Sequence, residues 1–528
     1  MINSILLLAL FVVYTIFISI SAKKALHMFQ QNRYEIVRFR QWQKANVTKT
    51  YPLYVMVSWF LIALLSLIIS SYEIRLFIII TVLIIQGINL LNKNKIITVI
   101  KPLVYTNRVK RQIFTYTILY LLFVIGCYQI KDNYFLLILL LFVYNLYQMH
   151  IISLVSLINY PLENFFKQRF MNTAKKKLRE NKTITSIGIT GSYGKTSSKN
   201  IINEVLAKKY YCLVTPASYN TPLGISITLN NSLQAIHEIF ICEMGADKVG
   251  EISELVNFVQ PEIGVVTSIG QQHLATFKTQ ENIINEKMQM VELMPESGVV
   301  VLNKDEKFIR EYNITSKAKQ IWYGVEEDAD IKASDISYSK DGSKFKVSID
   351  NEVYDFETKL LGLHNIYNIL AAIAIARHFD ISIKELQIAI KQLNYVKNRL
   401  EIKKQKDYTV IDNAFNSNPV SSKMSLDVLS YMPGTRICIT PGMIDLGDKQ
   451  DYYNKEFGKY FKTRCDKVIL VGRKQTKAIY EGLEESGFEM KNVHTVTKIY
   501  DAYNLLAKIK EPDCYVLFEN DLPDAFNI

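Results

Sequence analysis

Acidic residues are almost missing from the first 160 positions, where Glu35, Glu73 and Asp132 stand against 15 lysines and arginines. The remainder holds 47 bases and 47 acids, so the whole formal net charge of +12 lies in the first third of the chain. That distribution argues against a generally basic protein that coats nucleic acid. Cysteine is scarce as well, and the six residues Cys127, Cys212, Cys242, Cys438, Cys465 and Cys514 include no CxxC pair. Their scatter excludes a zinc ribbon, offers no disulfide framework and suits a reducing compartment for the polar part. Internal repeats and low-complexity tracts are lacking too, as are basic patches interleaved with aromatics in the part beyond 160. The 528 residues suffice for two to four domains. At 49% hydrophobic and 21% charged, the chain is too apolar to be disordered and too charged to be wholly membrane-embedded.

Long apolar runs are abundant, and all of them fall where acids are missing. Residues 2–20, 53–70, 76–91, 113–130 and 134–158 predict an α-helical membrane domain over 1–160 with about five transmembrane helices. The first run has no basic segment before it and no small-residue cleavage site after it, which argues against a signal peptide. Lys23, Lys24, Arg33, Arg38, Arg40, Lys44 and Lys49 crowd the connection after the first run. Lys93, Lys95, Lys101, Arg108, Lys110 and Arg111 crowd the one after the third. The positive-inside rule makes both connections cytoplasmic, which puts the N-terminus outside and everything beyond 158 in the cytoplasm of a multi-pass protein of the cell membrane. This charge serves topology, or as a sharper alternative draws an anionic lipid or a lipid-phosphate substrate. Residues 161–184 read as an amphipathic linker, with a basic helix over 165–180 lying against membrane lipids.

The remainder predicts an α/β protein. TSIGIT at 185–190 alternates like a buried strand and runs into Gly191, Ser192, Tyr193, Gly194, Lys195, Thr196 and Ser197, followed by a helical pattern. Strand, glycine turn, Lys-Thr and helix are the ingredients of a phosphate cradle: backbone N–H groups approach the anion, the ammonium bridges phosphate oxygens, and the hydroxyl reaches Mg²⁺. IFICE at 239–243 ends on Glu243, placed to hold Mg²⁺ or simply a solvated strand end. His273 follows the strand at 263–269, and Lys287 lies 14 residues later; alone, each is an ordinary loop histidine and a surface lysine. Residues 335–339 and 344–349 predict a hairpin appended to this domain. Strands at 408–411, 436–440, 468–471 and 515–518, alternating with helices, form a second α/β unit.

The blocks TGSYGKT (190–196), EMGA (243–246), TSIGxxH (267–273), Lys287, GLHNIYNILAA (362–372), NRLE (398–401), DNAFNSNP (412–419) and GMIDLG (442–447) resemble the Mur ligases in order and spacing. Within that superfamily, which also holds folylpolyglutamate and poly-γ-glutamate synthases, they look most like the branch that adds D-alanyl-D-alanine to a UDP-muramoyl tripeptide. The resemblance implies a P-loop central domain over 185–396 and a Rossmann-like C-terminal domain over 397–528. It also implies ATP and Mg²⁺ as cofactors. Lys195 and Thr196 would cradle the phosphates, while Thr196, Glu243, His273 and Lys287 would serve the metals, Lys287 as a carbamylated lysine. Asn368 would meet adenine, and Arg399 would reach the phosphates on domain closure. Lys195, Glu243, His273, Lys287 and Arg399 thus form the expected catalytic set. The pattern departs from the family at Asp412-Asn413, where Asp-Asp is usual, and this puts the nucleotide role of Asn413 in question. It departs again at 518–524, where Lys-Gly-Ser is replaced by FENDLPD, and in the apolar segments that stand where the UDP-sugar domain is expected.

The implied reaction is ATP-dependent amide-bond formation through an acyl phosphate, in peptidoglycan precursor or other cell-envelope polymer synthesis. The expected partners are an amino acid or dipeptide amine and a carboxylate acceptor, lipid-linked or polymeric; no nucleic acid is expected. The competing readings are a poly-γ-glutamate-synthase-like polymerising ligase, a membrane transport ATPase and an inactive scaffold.

Overall fold

Described in the computed structural model are residues 2–46, 53–96, 102–270, 274–415, 418–444 and 446–521. They divide into two units, Met1–Arg169 and Phe170–Ile528.

In the first unit the apolar runs form helices Ile2–Gln31, Leu53–Ile68, Tyr72–Ile96, Asn107–Gln129, Tyr134–Leu146 and the start of Gln148–Glu180, whose residues from 170 on belong to the second unit, with a short amphipathic helix Ile36–Ala45 in the first basic connection. Among the described residues, three helices are long and apolar enough to cross a membrane: Ile2–Gln31, Tyr72–Asn92 and Asn107–Gln129. The pair Tyr134–Leu146 and Gln148–Glu180, bent by 69°, makes a fourth only if both halves form one span. Five spans are expected, and the described residues support three or four of them. Of the run expected at 53–70, the described helix Leu53–Ile68 has 16 residues. The last run breaks at Tyr147, where polar Asn145 and Gln148 interrupt the leucine-rich stretch; Gln148 Nε2 donates to Tyr116 Oη at 2.5 Å. The linker expected to begin at 161 belongs instead to the helix that runs on to Glu180, with Pro161 inside it at the cost of one helical hydrogen bond. Near that proline, Arg111 makes a bidentate pair with Glu163 at 2.6 and 2.8 Å.

The second unit holds two sheets. Strands β1 (Thr185–Thr190), β2 (Cys212–Val214), β3 (Ile239–Glu243), β4 (Ile263–Val266), β5 (Val299–Asn303), β6 (Lys319–Gly324), β7 (Ile331–Ser339), β8 (Gly342–Ile349) and β9 (Glu352–Thr358) form one sheet in the order 2-3-1-4-5-6-7-8-9. Pairing is parallel from β2 through β7, and β7–β8–β9 close the sheet as an antiparallel meander. The expected hairpin is thus part of the main sheet, and it has a third strand.

β1 is buried at every position from Ser186 to Thr190, so each face carries a core. Ile187 and Ile189 pack with helices Lys195–Leu206 and Leu363–His378. On the other face, helices Glu251–Val259 and Gln280–Glu292 join Met171, Ala174 and Leu178 of the long helix. The second sheet runs β10 (Glu401–Lys404), β11 (Tyr408–Asn413), β15 (Cys514–Glu519), β12 (Arg436–Thr440), β13 (Lys467–Val471) and β14 (Val493–Val496). It is parallel except for β10, and it includes all four strands expected there.

Candidate active site

The order 2-3-1-4 makes β1 the topological switch point: β3 lies on one side and β4 on the other. Ligands gather outside the carboxyl ends of strands at such a crevice. Here three ends converge, bearing the glycine loop after β1, Glu243 at the end of β3, and Thr267–Gly270 after β4.

The loop is clamped by its neighbour. Ser192 N donates to Ser268 O at 2.7 Å, Tyr193 N donates to Ser268 Oγ at 3.0 Å, and Thr267 Oγ1 donates to Tyr193 O at 2.5 Å. Gly194 (φ +82°) precedes helix Lys195–Leu206 and aims the N-terminus at the crevice. Gly191 has φ +146°, and a Cβ there would lie 2.1 Å from Thr267 Oγ1. Gly191→Ala is therefore expected to strain the loop by about 1–3 kcal/mol and to weaken nucleotide binding. Thermal unfolding and ADP titration would check this; a variant with native values on both would show that the loop does not need glycine.

Inside the crevice, Lys195 Nζ donates to the carbonyls of Gly191 (2.6 Å) and Ser192 (3.2 Å). Burial holds this ammonium below its ordinary pKa, opposed by Glu243 and reinforced by Arg399. Thr196 Oγ1 donates to Glu243 Oε2 at 2.8 Å. Two further donors hold the same carboxylate: Asn220 Nδ2 at 3.2 Å and the buried Lys199 ammonium at 3.5 Å. From the second sheet's side, Arg399 Nη2 reaches Thr196 Oγ1 at 3.4 Å, with its guanidinium over the Phe415 ring. Asn368 Oδ1 accepts from Ser198 Oγ at 2.7 Å, while its Nδ2, though buried, has no hydrogen-bond partner among the described residues. His364 Nδ1 is buried and unpartnered likewise, and burial with the nearby Arg399 pushes that imidazole down to about 4. Ser197 is buried beside the loop.

Except for Gly191, Ser198 and Lys199, these groups line one cavity of about 280 Å³, together with Asn413 and with Glu306, a carboxyl that burial pushes up to about 7. The structure thus brings together Gly194, Lys195, Thr196, Ser197, Glu243, Asn368, Arg399 and Asn413. Lys287 lies in helix Gln280–Glu292, almost fully buried, and its Nζ donates to Ala246 O at 3.4 Å, just beyond the end of β3. Burial, helped by the neighbouring Lys195, pushes its pKa down to about 7. His273 lies outside the described residues.

Four contributors were not anticipated. Lys199 has a signal, since it follows Lys195 by one helical turn on the same face. Asn220, His364 and Glu306 carry none that separates them from ordinary polar residues.

The residues suit a nucleotide and a hard cation. Two orphaned polar atoms, on His364 and Asn368, await partners. Thr196 and Glu243 offer one hydroxyl and one carboxylate, and the described residues contain no cluster of three His, Cys, Asp or Glu that could hold a metal. Mg²⁺ usually takes one or two carboxylates and completes its shell with water and phosphate, so this sparse set fits it.

Comparison with known proteins places the chain. Residues 189–376 match the Mur ligase middle domain, and residues 398–518 match the Mur ligase glutamate ligase domain. The UDP-N-acetylmuramoyl-tripeptide–D-alanyl-D-alanine ligase of Buchnera aphidicola is 30% identical over 300 residues, covering 56% of this chain and 65% of the relative. The Bacillus subtilis ligase of that name is 30% identical over 293 residues, covering 54% and 62%. The chain thus spans less than two thirds of the length of these curated relatives. Among solved structures, MurF from Acinetobacter baumannii shares the fold, with TM-score 0.61, 23% identity and coverage of 67% of this chain and 77% of that one. MurF from Thermotoga maritima, solved with ADP, superposes with TM-score 0.61 at 22% identity over 67% and 80%.

Proposed function

The chain belongs to the Mur ligase family, and on that premise we propose that it is a membrane-anchored, ATP-dependent, ADP-forming amide ligase of cell-envelope precursor synthesis. The observation that carries this reading is the meeting of Lys195, the Thr196–Glu243 pair and Arg399 around one cavity. Three strand ends and both sheets contribute to it.

In this reading ATP binds with its base toward Asn368 and His364 and its phosphates over the loop of Gly191–Thr196. Mg²⁺, held by Thr196 and Glu243, neutralises phosphate charge when bound. An acceptor carboxylate attacks the γ-phosphoryl group, ADP leaves, and the acyl phosphate is taken by an amine with loss of inorganic phosphate and a proton. The chain's own part is positioning and charge: Lys195 and Arg399 face the oxygens on which negative charge grows. Lys287, near the end of β3, would act as a carbamate, an anionic oxygen ligand in place of an ammonium, and the family resemblance gives His273 a metal role as well. Arg399 already stands near Thr196, and further closure of the C-terminal sheet would shield the acyl phosphate from water.

The curated relatives are named for joining D-alanyl-D-alanine to a UDP-muramoyl tripeptide, so a dipeptide amine and a muramoyl-peptide carboxylate are the proposed substrates. The three or four membrane-length helices support an acceptor that is lipid-linked, with the ligase part on the cytoplasmic side. The detergent-purified full chain should release ADP only when both a carboxylate acceptor and an amine are supplied. ADP release indifferent to every amine and acceptor would overturn the ligase reading. Equal activity on lipid-linked and water-soluble acceptors would remove the lipid part alone.

A further inference from the structure

The departures from the family pattern at 413 and at 519 are far apart in sequence, yet they are one structural feature. β11 and β15 pair in parallel with Asn413 directly across from Glu519. Asn413 Nδ2 donates to Glu519 Oε2 at 2.8 Å, Ser425 Oγ donates to the same oxygen at 2.6 Å, and Ser422 Oγ donates to Oε1 at 2.8 Å. Glu519 is fully buried, whereas Asn413 lines the nucleotide cavity. The neighbouring Asp412 points the other way along the strand, to Lys403 Nζ at 2.5 Å and Ala414 N at 3.1 Å. It is therefore committed elsewhere and does not stand in for the missing aspartate.

We infer that Glu519 is a positioning residue for the nucleotide site: it fixes the amide of Asn413, and the two work as a pair in which one member must be an amide. Asn413 gives its Nδ2 to Glu519 Oε2, which leaves Oδ1, an acceptor, as the atom it can present to the cavity. The ligand group met there is consequently a donor, such as a hydroxyl of the sugar. An aspartate at 413 would set two carboxylates at hydrogen-bond distance in a buried site, where both cannot ionise. The asparagine at this position is thus the consequence of the glutamate across from it.

This inference rests on the nucleotide reading proposed above. Its test is a reciprocal exchange in the full-length, detergent-solubilised chain, followed by ADP affinity, the KM for ATP, kcat and thermal unfolding. Glu519→Gln and Asn413→Asp should each weaken ADP binding and raise the KM by about tenfold, the scale of one hydrogen bond to a charged group, with kcat at saturating ATP affected less. The double variant Asn413→Asp/Glu519→Gln restores one carboxylate and one amide with their order exchanged, and should recover ADP affinity to within about threefold of native on the same scale. If Glu519→Gln is too unstable to measure, the double variant carries the test against Asn413→Asp. Native affinity in both single variants, or a double variant no better than the worse single one, would overturn the pairing. Failure of the native chain to bind ADP would instead sink the nucleotide reading.

Discussion

Lys195→Ala is expected to lower amine-dependent ADP release by about 10²–10³-fold or more, the range seen when one preorganised electrostatic contact to a developing oxyanion is removed. The side chain is already committed to its place. Two loop carbonyls hold the ammonium at 2.6 and 3.2 Å, so no rotamer search is needed when phosphate arrives. Burial makes that ammonium expensive to keep charged, and an incoming triphosphate relieves the expense. The charge is therefore worth more with nucleotide bound than without it. A neighbouring lysine cannot stand in, because Lys199 is spent on Glu243 at 3.5 Å and on Ala217 O at 2.6 Å. Steady-state ADP release measured beside thermal unfolding would separate lost chemistry from lost fold. A variant that keeps more than about a tenth of native turnover would take Lys195 out of the catalytic set, since even a single such contact is worth more than that.

The phosphate loop was legible because its chemistry is local: seven consecutive residues supply glycine turn, lysine and hydroxyl, and strand alternation announces β1 in front of them. Glu243 was legible for a similar reason, as an acid that closes an apolar run. The membrane helices were legible as hydropathy, but hydropathy does not record where a helix stops. The last run, read as one span, folds as two helices bent by 69°. Asn220, His364 and Glu306 join the site from other segments, and single sequence positions carry no trace of such distance, whereas Lys199 is marked only by its one-turn spacing from Lys195. The pairing of Asn413 with Glu519 is the clearest case. Its members are 106 positions apart, and each alone reads as an unexplained departure. The parallel register of β11 and β15 shows that they face one another.

Lys287→Ala should lose activity by about 10²–10³-fold if the side chain serves the metal end of the site as a carbamate, and added formate or acetate should restore part of it. The local electrostatics favour the modification. Carbamate formation needs the neutral amine: Nζ adds to carbon dioxide, a C–N bond forms and a proton leaves. An ordinary lysine is almost wholly protonated near neutrality. Lys287, pushed down to about 7 by burial and by Lys195, is half neutral there, and carbon dioxide is small and uncharged enough to enter. The sign of the pH dependence follows. As pH rises through about 7 the amine fraction grows, so activity at fixed dissolved carbon dioxide should climb between about pH 6 and 8. Removing carbon dioxide from the assay should lower the whole profile. Lys287→Arg separates this from simple loss of a cation: it keeps the positive charge but cannot be carbamylated, so it should be as inactive as the alanine variant and no less responsive to added carboxylate. Native activity in the arginine variant, or a profile blind to carbon dioxide, would show that Lys287 works as an ammonium or only as packing beneath Ala246.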